Sequence, residues 1–113
     1  MMTRKKFGWR RDSRTINVVH RYPTGATHIF CVSYSRLDEG QGRIGEIWVN
    51  GVDGYEKRVN DDVRDACIGI SKDLQNGDTV EQLAKSFLRD ARGKPHGFLG
   101  SILDALKKEP VDV

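Results

Sequence analysis

Residues 43–77, RIGEIWVNGVDGYEKRVNDDVRDACIGISKDLQNG, change hydrophobic period partway along, and that change sets the fold class. From Arg43 to Asn50 the pattern alternates as on a strand. Ile47 and Val49 face one way; Ile44, Glu46 and Trp48 face the other, where Trp48 would cover a helix or meet a partner. Asn50-Gly51-Val52-Asp53-Gly54 reads as a loop whose glycines serve turn geometry. Asn60 then reads as an N-cap, with Asp61 and Asp62 in a first turn where negative charge favours the helix dipole. Val63, Cys67, Ile70 and Leu74, with Ala66, form one apolar stripe at helical spacing, and Gly77 stands where a C-terminal cap belongs.

Upstream, the period of two continues. Ile16, Val18, His20 and Tyr22 share one side of a strand starting near Thr15 and closed by Pro23, and Thr24-Gly25 makes a turn. A second strand runs from about Thr27 to Ser35, with Phe30, Val32 and Tyr34 on one face and Ile29, Cys31 and Ser33 on the other. Asp38-Glu39-Gly40-Gln41-Gly42 connects it to the third strand as a hairpin. Downstream, a capping box, Asp78 with Glu81 or Thr79 with Gln82, opens a shorter helix carrying Val80, Leu83, Ala84, Phe87 and Leu88. Gly93-Lys94-Pro95-His96-Gly97 breaks it. A last helix from near Leu99 to Lys108 buries Ile102, Leu103 and Leu106 before Pro110. The expected fold is α+β: a three-stranded antiparallel sheet followed by three helices packed on one face.

The 113 residues have room for one small domain. The net charge of +3 is unevenly spread: residues 1–22 hold seven basic side chains against Asp12 alone, and the remainder is mildly acidic. Residues 1–14 therefore read as a mobile basic arm, and 15–113 as the domain. In the arm and just beyond it, Arg4, Lys5, Lys6, Arg10, Arg11, Arg14 and Arg21 could neutralise phosphates, with Trp9 and Phe7 offering faces on which bases stack. A solubilising tail is the alternative. No stretch is long and apolar enough to span a bilayer and the N-terminus lacks a signal-peptide core, so a cytoplasmic protein with no membrane partner is expected.

Few residues suggest catalysis. His20 and His28 sit on strands that can be neighbours, and His96 lies in a Gly/Pro loop; together they offer a metal or enzyme site, against the simpler reading of ordinary strand and loop histidines. Cys31 and Cys67 have neither CxxC spacing nor a nearby histidine pair, and Cys67 falls on the helix stripe as a small hydrophobe. Neither metal nor cofactor is expected. The glycine loop at 50–54 is followed by Glu56, Asp61 and Asp62, surroundings unlike a phosphate cradle.

The order of motifs carries a resemblance. GEIWVNG at Gly45–Gly51, a Gly-containing turn, the helix VRDACIGISKDLQNG, the capped TVEQLAKSF and GSILDALKKE resemble the TSCPD domain. That domain is found at the C-terminus of adenosylcobalamin-dependent ribonucleotide reductases and in short stand-alone proteins, and the match spans about Pro23 to Lys108. The layout is also similar to the scaffold proteins of iron–sulfur assembly. Gly45, Glu46, Gly51, Gly54, Ser101 and Asp104 fall at the family's motif positions, and Ser101 has the alternative role of capping the last helix. Family cysteines in the first turn, after the third strand and before the last helix are replaced here by Thr24-Gly25-Ala26, Gly51-Val52-Asp53-Gly54 and Gly97-Phe98-Leu99-Gly100-Ser101. Cluster binding needs converging thiolates, so it does not carry over.

The resemblance implies a non-catalytic accessory module, linked to deoxynucleotide metabolism, that binds a partner, a nucleotide or nucleic acid. A small nucleic-acid-binding or phage-type regulatory protein working through its arm is the alternative. A homo-oligomer could form through a sheet edge or the Trp48 face.

Overall fold

The computed structural model describes residues 13–37, 42–53 and 57–110. Three alternating segments pair as an antiparallel meander: β1 (Arg14–Arg21), β2 (Thr27–Arg36) and β3 (Ile44–Asp53), in the order β1-β2-β3. Three helices follow, α1 (Lys57–Gln75), α2 (Val80–Ala84) and α3 (Phe98–Lys107). The α+β architecture is the expected one. α1 lies against β3, α3 against β1, and α2 packs on α3.

The core forms where alternation meets the helical stripe. Val18, Phe30, Val32, Tyr34, Ile47 and Val49 from the sheet meet Val63, Cys67, Ile70 and Leu74 of α1 and Ile102, Leu103 and Leu106 of α3. The opposite sheet face is covered by no described helix, and Val19 and Ile29 are exposed on it. There Asn50 Nδ2 donates to Ser33 Oγ at 2.6 Å, and Ser33 shares a 2.7 Å hydrogen bond with Thr15 Oγ1.

Several local expectations change. Simple alternation puts Ile44 on the outer face with Trp48, but the β2–β3 register skips Gly45, pairing Ser35 with Glu46 and Arg36 with Ile44. This bulge turns Ile44 into the core. A second register break, between Cys31 and Val32, leaves Asn50 without a cross-strand partner and lets β3 continue through Gly51 and Val52 to Asp53. The expected loop at 50–53 is therefore strand, and Val52 is buried. Gly54 and the tip of the β2–β3 connection, 38–41, lie outside the described residues. α1 starts at Lys57, so Asn60 lies within the helix and is not its N-cap. Gly77 has φ 121°, as a helix-ending glycine should. Of the two capping boxes the structure takes Thr79 with Gln82: Gln82 N donates to Thr79 Oγ1 and Thr79 N to Gln82 Oε1. α2 then stops at Ala84, and Leu88 is 77% exposed.

β3 is an edge strand, and α1 protects it. Ile47 N–H donates to Ser71 Oγ at 3.0 Å, and the Ser71 hydroxyl donates to the Ile47 carbonyl at 3.0 Å. The serine occupies both ladder groups that a neighbouring strand would need at that residue.

Candidate functional site

Between α2 and α3, the ten residues 88–97 contain no helix or regular strand, yet hydrogen bonds fix them along their length. Asp90 organises the turn. Its carboxylate Oδ1 accepts from the backbone N–H of Arg92 at 2.8 Å and of Lys94 at 2.9 Å, while Asp90 N donates to Lys94 O and Gly93 N to Asp90 O. These backbone donors, that of Lys94 foremost, hold the Asp90 carboxyl below its usual range. Gly93 has φ 81°, where a side chain would be strained. His96 N donates to Leu88 O, and Arg89 and Pro95 form an antiparallel bridge at the base.

Arg89 fastens this turn to its neighbours. Its guanidinium donates to both oxygens of Asp104 on α3, at 2.6 and 2.8 Å, and to the carbonyls of Ala84 and Gly93. That fork, with Lys107 at 3.7 Å, sets the Asp104 carboxyl below its ordinary range, the hydrogen bond to Arg89 being the largest cause. Pro95 completes the attachment. A Cβ placed on Gly100 would come within 2.7 Å of the Pro95 Cβ, so only glycine lets helix and turn approach this closely.

The same end of the sheet brings the histidines together. His20 and His28 are cross-strand partners on β1 and β2, and Tyr22 stands edge-on to both rings. Tyr22 OH lies 3.0 Å from His28 Nδ1. His20 is 2% exposed, and its Nδ1 is 2.7 Å from Ser101 Oγ on α3, the ring tautomer deciding which atom donates. Its Nε2 makes no hydrogen bond of good geometry, though the His96 backbone lies near enough to favour a charged ring. Burial outweighs that influence and lowers the His20 pKa, with the charge of His28 acting in the same direction.

Ser101 is thus not the helix cap: α3 begins at Phe98 with Gly97 as its N-cap and no side-chain cap bond. The serine ties α3 to β1. Although 2.7 Å is within reach for proton transfer, the imidazole is shut from solvent and among the described residues no carboxylate orients it. The His96 side chain is exposed, and among the described residues no three His, Cys, Asp or Glu side chains gather as metal ligands. Cys67 is buried, which pushes its thiol up to about 11, and Cys31 is half-buried on the outer face.

Of the other expected site residues, Arg14 begins β1, one position inside the expected arm, and Arg21 ends it; both are exposed. Arg4, Lys5, Lys6, Trp9, Arg10 and Arg11 lie outside the described residues, as does the expected mobility of the arm. Gly45 forms the bulge, and Gly51 lies within β3. Sequence reasoning named Ser101 and Asp104 but missed Arg89, Asp90, Pro95 and Gly100, which explain why LRDARGKPHGFLGSILD is arranged as it is. The signal was present in Arg89-Asp90 and Gly93, a turn-forming Asp three residues before a glycine.

What this arrangement presents to solvent is basic on balance: Arg92, Lys94 and His96 are exposed on the hydrogen-bonded turn with one exposed carboxylate, Asp90, beside exposed Leu88. No family model, curated protein or solved structure matches the chain.

Proposed function

We propose that the chain is a non-catalytic accessory domain that works by binding, as its resemblance to the TSCPD domains of adenosylcobalamin-dependent ribonucleotide reductases implies, in the setting of deoxynucleotide metabolism. One observation carries this reading. Segment 88–97 is locked to α3 while Arg92, Lys94 and His96 face solvent. A rigid element with free side chains loses little conformational entropy on docking, which is how recognition loops gain affinity. The groups with catalytic potential are engaged internally: His20 with Ser101, and Asp104 with Arg89.

The test is sedimentation of the full chain with the catalytic chain of such a reductase at low salt. A saturable complex, weakened at least about tenfold by Arg92→Ala with Lys94→Ala, is the expected result. No complex, or equal affinity in the double variant, contradicts it.

Charge favours a second reading, nucleic-acid binding. Residues 85–108 hold six basic against two acidic side chains, a second basic segment of the sequence in addition to the N-terminal one. On this reading, oligonucleotide affinity falls steeply with salt and both basic segments contribute to it: deleting residues 1–14 weakens binding, and so does Arg92→Ala with Lys94→Ala. Binding unchanged by both excludes this reading.

A further inference from the structure

A cavity of about 390 Å³ opens on the other side of the molecule, between β3 and α1. It is lined by Ile47, Trp48, Val49 and Asn50 of the strand and by Arg64, Cys67 and Ile68 of the helix. Its position follows from the register. Asn50 is the extra residue of the second β-bulge, and such a bulge bends the strand. Ile47, Val49 and Cys67 are buried, and the neutral Cys67 thiol adds no charge to the lining. At the rim, Ile68 is 58% exposed and extends the apolar lining to the surface.

Arg64 supplies the polarity. Its Nη2 reaches the Asn50 carbonyl only at 3.5 Å, and among the described residues the guanidinium makes no ion pair. A cation at the edge of an apolar cleft that includes an indole selects a ligand with a flat apolar body and a negative group. The volume lies within the range of small-molecule sites.

We propose that the cleft between β3 and α1 is a binding site for a small planar aromatic anion, its ring held among Trp48, Val49 and Ile68 and its charge met by Arg64. A nucleoside monophosphate and an aromatic carboxylate share this chemistry. The site is separate from turn 88–97, so neither proposal depends on the other.

The experiment follows the indole N–H resonances of the ¹⁵N-labelled full chain, with Trp48 distinguished from Trp9 by Trp48→Phe. The probes are adenosine 5′-monophosphate, indole-3-propionate, adenosine and inorganic phosphate. Saturable shifts of the Trp48 signal with either aromatic anion are expected, and which one binds more tightly identifies the source. Arg64→Ala, on an exposed helical position, should weaken binding at least about tenfold with an unchanged circular dichroism spectrum. Ile68→Glu should do the same by setting a carboxylate at the rim. No Trp48 response to either anion at millimolar concentration overturns the proposal. So does adenosine binding as tightly as its monophosphate, phosphate alone producing the same shift, or Arg64→Ala binding like the parent.

Discussion

His20 is a buried histidine whose hydrogen bond to Ser101 joins the first strand to the last helix. Its folded pKa is depressed below 6.5, burial being the chief cause. In the unfolded chain it binds a proton more readily, so its contribution to stability is full above about pH 6.5 and is lost as pH falls through that value toward the folded pKa. Urea denaturation at pH 7.5 and 5.5 should therefore show a lower midpoint at the acid pH. His20→Gln should flatten the difference while lowering stability at both. A variant with an unchanged pH dependence would place the titrating group elsewhere. Asp90 and Asp104, with lowered pKa values, act only in a more acid range.

At the scale of elements, the sequence was legible wherever periodicity decided the matter. The alternation in β1 and β2 and the stripe Val63, Cys67, Ile70, Leu74 gave the sheet, α1 and the buried face. It failed where a single residue breaks register. The bulges at Gly45 and Asn50 cannot be read from a period of two, because a bulge shifts all later residues to the other face without changing composition. Turn 88–97 was legible as a break: its Asp90 bonds are local, but the pair that fastens it to α3 joins Arg89 to Asp104 across fifteen positions, beyond any local pattern. Ser71 was hidden likewise, a polar residue beside an apolar stripe. Replacing it with alanine leaves the Ile47 N–H and carbonyl without their partner, at about 1–3 kcal/mol for each buried group. Alanine's helix propensity returns only about 0.5 kcal/mol. Ser71→Ala should thus destabilise the protein by about 1.5–5.5 kcal/mol in denaturant titrations; a loss below about 0.5 kcal/mol would show that β3 does not need this edge contact.

At the scale of the whole molecule, charge is divided along the sequence. Residues 61–84, α1 beyond its first turn through α2, carry six acidic against two basic groups, and residues 85–108 the reverse proportion, six basic against two acidic. The overall charge of +3 conceals this division, and within it Arg89 and Asp104 are spent on each other, leaving Arg92 and Lys94, with the carboxylate of Asp90, as the outward charges of the turn. No helix among the described residues is long and apolar enough to cross a membrane. A preformed binding element requires turn 88–97 to be as fixed as the elements it joins. Amide hydrogen exchange measures that directly, because the Asp90, Arg92, Gly93, Lys94 and His96 N–H groups each have an assigned acceptor. Protection of at least about a hundredfold over the unfolded chain is expected at these five amides. Exchange at the rate of an unstructured peptide would contradict the claim that this turn is a preformed binding element.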